Sequence, residues 1–148
     1  MTKHEYDPAR GRLPRVLMQA SRALRVRCDE VLTDCGLTQA QFEVMQLIDH
    51  VGDITAAEIA RTLRVTAQSI LPVMYRLERA GFVSRSWTPG SGNRLSVEIT
   101  TDGLAALRQA EGRMRVLDKS IRDALGPEMT SSLVEELFAL GNFLSAAE

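Results

Sequence analysis

The residues best suited to chemistry lie between Thr66 and Arg76. Ala67, Gln68 and Ser69, then Pro72 and Arg76, share one side of a 3.6-residue period, while Ile70, Met74 and Leu77 recur on the other at spacings of four and three. A glutamine can pair bidentately with an adenine edge, a serine can donate to a base or a phosphate, and an arginine can reach a phosphate oxygen or a guanine. Thr66 is a good N-cap for a helix carrying that set. Charge distribution agrees with this chemistry. The chain's formal net charge is −1, but residues 55–94 hold six arginines (Arg61, Arg64, Arg76, Arg79, Arg85 and Arg94) against the two acids Glu58 and Glu78. A module of +4 therefore sits inside a remainder of −5, and a global sum conceals it. Arg76 and Arg85 suit phosphate contacts, which dominate interfaces with nucleic acid.

Other chemistries lack their parts. Two cysteines, Cys28 and Cys35, with His4 and His50 elsewhere, make neither a disulfide framework nor a metal-ligand cluster. No cofactor is expected. The stretch PGSGN lacks the lysine of a phosphate-binding loop, and no Ser, His, Asp set is recognisable, so an enzyme is not expected. No apolar run approaches the roughly 20 residues that span a bilayer, and the first residues are polar. The expected location is the cytoplasm.

Patterns along the chain supply the elements that must hold these residues. Residues 1–12 have no apolar period and read as a flexible lead-in. Val16, Leu17, Ala20, Leu24 and Val31 mark a long helix that Gly36 can stop. Thr38 with Gln41, and Thr55 with Glu58, are capping-box pairs that open two further helices, the second running to about Leu63. A tight turn at Arg64 and Val65 leads into the helix begun by Thr66, and Gly81 ends it. The period then changes. FVSRSW and RLSVEIT alternate as strands around the turn TPGSGN, and Leu95, Val97 and Ile99 share a face. Thr100 caps another long helix, Gly126 and Pro127 break it, and Leu133, Leu137, Leu140 and Leu144 stripe a last one.

Two helices joined by a tight turn and followed at once by a hairpin are ordered as in a winged helix-turn-helix, whose second helix enters the major groove of DNA. The chain from about Leu13 to Ala146 resembles the MarR family. LTQAQFEVMQLI resembles the family's second helix, ITAAEIARTLRVTAQSILPVMYRLERAGFVSR its helix-turn-helix and first wing strand, and VEITTDG the stretch that closes the wing. The resemblance implies a mainly α fold with a small β-hairpin wing and dimerisation helices at both ends. It implies a transcriptional regulator, usually a repressor, that binds double-stranded DNA as a homodimer and responds to a small-molecule effector. Residues 37–100 would bind DNA, and residues 13–36 and 101–148 would dimerise.

On the matching positions, Thr66, Ala67, Gln68, Ser69, Pro72, Arg76, Arg85, Asn93 and Arg94 would face the DNA. The chain departs from the family pattern in its wing. Many members carry an Asp and an Arg two residues apart there; these places hold Ser91 and Asn93, and Arg94 is the nearest substitute. Pro72 inside the reading helix is a bend that some relatives share.

Leftover apolar stripes point the same way as the resemblance. The first helix and the last two cannot all be buried against a module of about 60 residues, so a second chain is expected to cover them. A twofold dimer would read a pseudo-palindromic site. A rival reading is a winged helix that serves as a protein-interaction module or as a DNA-blind partner. A lesser one is a cysteine-based redox sensor, although Cys28 and Cys35 would stand about 10 Å apart on one helix, too far for a disulfide.

Overall fold

Threonine side chains cap the starts of four helices. The protein, seen in a computed structural model, is described over residues 13–87, 89, 90, 92 and 94–146. The expected lead-in over 1–12 and the wing positions Ser91 and Asn93 lie outside the described residues.

Helix α1 (Leu13–Leu32) does not run as one α-helix to Gly36; it tightens into a 3-10 turn over Thr33–Cys35. The Thr33 hydroxyl donates to the Asp29 carbonyl at 2.8 Å, and the Gly36 amide closes the turn on the Thr33 carbonyl at 2.9 Å. Gly36 takes the left-handed φ of 69° that reverses the chain there.

Both expected capping boxes form. Thr38 and Gln41 bond reciprocally to open α2 (Gln39–Val51), and Thr55 and Glu58 do the same for α3 (Ala56–Thr62). The Thr66 hydroxyl accepts the Ser69 amide to open α4 (Ala67–Arg79), and Thr100 accepts the Gly103 amide to open α5 (Thr101–Leu125). Pro127 starts α6 (Pro127–Ser145) at a position where its missing N–H costs no bond.

The hairpin strands β2 (Val83–Trp87) and β3 (Leu95–Ile99) pair antiparallel, Val83 opposite Ile99 and Trp87 opposite Leu95. A third strand, β1 (Ile54–Thr55), was not read from the sequence. It pairs with Val97 and Ser96, giving the order β1-β3-β2.

One aliphatic core lies under the helix pair. Met45, Ile48, Ile59, Met74, Leu77 and Leu107 are each 1% exposed or less. Leu32 and Cys35 enter this core from the first helical stretch, and Leu107 and Ala110 from α5. The flanking helices are otherwise poorly covered. Among described residues, α1 buries only Cys28 and Leu32, and α6 only Thr130. Phe138 and Phe143 of α6 are 72% and 71% exposed, and Leu13, Met18, Leu24 and Val26 of α1 lie open as well.

The end of the helix-turn-helix is locked to α5 by a close approach. The Thr100 amide donates to the Phe82 carbonyl at 3.0 Å, and a Cβ on Gly103 would meet that carbonyl oxygen at 2.0 Å and Ile99 Cγ1 at 3.0 Å. Backbone cannot yield as a side-chain tip can. Gly103→Ala is therefore expected to destabilise the fold by about 1–3 kcal/mol in urea denaturation. Gly112→Ala, also in α5 and with only an arginine tip at 3.9 Å, should be neutral or stabilising by up to about 1 kcal/mol. Equal stability of the two variants would contradict the close approach.

Candidate nucleic-acid interface

The turn between α3 and α4 is closed by backbone bonds, Val65 amide to Ala60 carbonyl at 3.0 Å and Arg64 amide to Arg61 carbonyl at 3.2 Å. Arg64 adopts a φ of 55°, left-handed for a non-glycine residue, at a cost on the order of 1 kcal/mol. Beyond the turn, Ile70, Met74 and Leu77 are buried at 4%, 0% and 0%. Their burial turns the opposite side of α4 outward. Ala67, Gln68, Pro72 and Arg76 are all exposed there, as the sequence pattern predicts.

The helix continues through Pro72. Proline cannot donate to the Gln68 carbonyl four residues back, and in this exposed turn water can take that bond.

Thr66 and Ser69 are partly occupied by each other. The Thr66 hydroxyl accepts the Ser69 amide at 3.2 Å, and the Ser69 hydroxyl donates to the Thr66 carbonyl at 2.9 Å. Both stabilise the first turn, so Gln68 is the freer hydrogen-bonding side chain of the set. Three residues on the exposed side were missed in the sequence: Leu71, Tyr75 and Arg79. Their spacing from Gln68 follows the same helical period, and only the apolar character of Leu71 and Tyr75 directed attention elsewhere.

The arginines of the hairpin are paired within the chain. Arg85 of β2 forms an ion pair with Glu78 of α4, fastening the strand to the helix. Arg94 turns toward α3, its two terminal nitrogens donating to the Glu58 carboxylate at 2.9 and 3.2 Å and one of them to the Asp53 carbonyl at 3.1 Å. Ser96 donates to the Asp53 carboxylate beside it. Arg94 thus ties the base of the hairpin to the first turn of α3. The Thr55 amide first, and the Arg94 guanidinium next, hold the Glu58 carboxyl at about 2 instead of 4.5.

A cavity of about 330 Å³ separates α4 from the flanking helices. Arg25 and Asp29 of α1, Gln39 and Glu43 of α2, and Ser69 and Val73 of α4 stand in its wall. Cys28 and Cys35 are buried, and burial, then the charges of Asp29 and Glu43, push the Cys28 thiol up. That shift disfavours the reactive thiolate. Among the described residues, no group of three or more His, Cys, Asp or Glu side chains is placed to hold a metal, and no helix is long and apolar enough to cross a membrane.

A capped helix pair followed by a hairpin, with a third strand sealing its base, defines a winged helix-turn-helix protein. Residues 37–92 match the MarR family model. The HTH-type transcriptional repressor Rv2887 of Mycobacterium tuberculosis is 30% identical over 106 residues, covering 72% of this chain and 76% of the relative. The chain belongs to the MarR family. Among solved structures, the transcriptional regulator PA4135 is 28% identical, with a TM-score of 0.75 over 88% of this chain and 96% of that one. A mutant MarR from E. coli, solved in complex with operator DNA, shares the fold at a TM-score of 0.81 and 23% identity, covering 92% and 98% of the two chains.

The Glu58 carboxylate, held by the Thr55 amide and then by Arg94, has a pH signature. Because the folded carboxyl titrates below its unfolded value, its contribution to stability is complete above pH 4.5 and is lost as pH falls toward 2. Glu58→Gln lacks the charge throughout. The melting-temperature gap between wild type and Glu58→Gln should be widest above pH 5 and narrow steadily toward pH 2; a gap independent of pH would contradict an ionised Glu58 that caps α3 and pairs with Arg94.

Proposed function

We infer that this protein is a sequence-specific, DNA-binding transcriptional repressor, that α4 reads the major groove, and that two copies act together on a pseudo-palindromic operator. The observation that carries the reading is the outward side of α4. Gln68 is free to pair with an adenine edge, and Arg76 and Arg79 stand on the same helix within reach of phosphates. The repressor name of the mycobacterial relative and the operator complex of the E. coli protein support the same reading.

Dimerisation through residues 13–36 and 101–148 is supported by the open apolar side chains of α1 and α6, which a second copy would cover. In a twofold pair each chain contributes one α4, and two such helices read half-sites one helical turn apart. Release by a small-molecule effector is supported by the cavity between α1, α2 and α4. A molecule seated there touches the dimerising helix and the reading helix at once, so filling it alters their relative position. The two buried cysteines give the redox alternative no comparable support.

Fluorescence anisotropy of labelled duplex tests the reading. The full chain should bind its own upstream intergenic DNA far more tightly than a scrambled duplex, with affinity falling steeply between two salt concentrations. The double variant Gln68→Ala with Arg76→Ala should lose that preference while keeping its fold by circular dichroism. Equal weak binding to both duplexes, or none, would favour a winged helix that engages proteins instead of DNA.

A further inference from the structure

Strand β2 ends on an aromatic side chain that the core does not use. Positions 83, 85 and 87 of β2 share one face of the sheet with Ile99, Val97 and Leu95 opposite them. Along that face the pairs differ in what covers them. Val83 and Val97 belong to the core, Arg85 is held by Glu78 of α4, and the outermost pair overhangs, with Trp87 62% exposed above a partly buried Leu95. Most of the largest apolar side chain in the protein therefore remains in water, although burial of a large apolar side chain is worth roughly 2–3 kcal/mol.

Charge does not fill the same role at this end of the hairpin. Among its described residues the cations are Arg85 and Arg94, and both are ion-paired within the chain. Meanwhile the Arg85–Glu78 pair fastens β2 to α4, so the indole is carried on the same body as the exposed Gln68, Leu71 and Tyr75.

We propose that Trp87 is, among the hairpin's described residues, its principal contact with duplex DNA, packing its indole against the sugars and base edges of the minor groove beside the segment read by α4. This rests on the DNA-binding reading above. Apolar side chains are suited to that groove, where they lie against deoxyribose or wedge between base steps. The indole N–H adds one donor, and the groove floor offers acceptors on adenine and thymine. A and T beside the α4 site are then favoured over G and C, whose minor-groove amino group obstructs the approach. A second copy of the chain is the less suitable occupant, because the extensive uncovered apolar faces among the described residues belong to α1, α5 and α6 and not to the hairpin.

The chain contains one tryptophan, so its selectively excited emission reports on this position without a label. The full chain is titrated with its upstream intergenic duplex while the anisotropy of a labelled copy of that duplex reports binding independently. The indole emission is expected to change along the same isotherm, its acrylamide quenching to fall several-fold at saturation, and Trp87→Ala to bind roughly tenfold more weakly. Trp87→Phe should recover most of the loss, and the melting temperatures of both variants show whether they are folded. Binding by anisotropy with unchanged emission and quenching, and full affinity in Trp87→Ala, would overturn the inference and leave the DNA-binding reading intact. An emission change on concentrating the protein without DNA would assign the indole to a contact between copies and also overturn it. Absence of binding to any duplex removes the reading and the inference together.

Discussion

The rotation of α4 about its own axis is set by three side chains, and the rest of the interface depends on it. Ile70, Met74 and Leu77 are almost wholly buried in the core, where α4 packs on α2, α3 and β2. Each burial is worth roughly 1.5–3 kcal/mol, more than any single polar contact on the opposite side. A turn of the helix by one residue would expose this stripe and bury Gln68 or Arg76 without a partner. The core, not the polar residues, therefore determines which atoms the protein presents to a groove.

Around that helix the structure uses its charges for positioning. Arg85 fastens β2 to α4, and Arg94 fastens the base of the hairpin to α3 through Glu58 and Asp53. Such partly exposed pairs contribute little to stability one at a time. Their effect is geometric: hairpin and helix pair are joined at two points, so a displacement of α4 is passed to the hairpin. The cavity behind α4 lies between that helix, Arg25 and Asp29 of α1, and α2. Under the proposed function, association, ligand occupancy and groove contact would all bear on α4.

Local signals made most of this legible in the sequence. Thr38 with Gln41, Thr55 with Glu58, Thr66 and Thr100 each act within three residues, and every one of these caps forms. The alternating hairpin strands and the helix break at Gly126 and Pro127 are equally short-range. What escaped was long-range or too brief to show a period. Strand β1 has two residues and exists by pairing with Val97 and Ser96, more than 40 positions away. The partners of Arg94 lie 36 and 41 residues earlier, so its removal from the exposed set depends on tertiary contacts. Ser69 is exposed, as read, and its further place in the cavity wall needs α1 and α2 beside α4. The apolar members of the outward face, Leu71 and Tyr75, were within reach of the helical period and were passed over for their residue type.

The central claim is that two copies of α4, held apart by paired flanking helices, contact one face of a duplex. Hydroxyl-radical footprinting of the full chain on its upstream intergenic DNA tests it most directly. The account predicts two equally protected patches on the same face, with centres separated by about one helical turn of 34–36 Å or a whole multiple of it, appearing together as protein is added. A single patch, or uniform protection without periodicity, would contradict it.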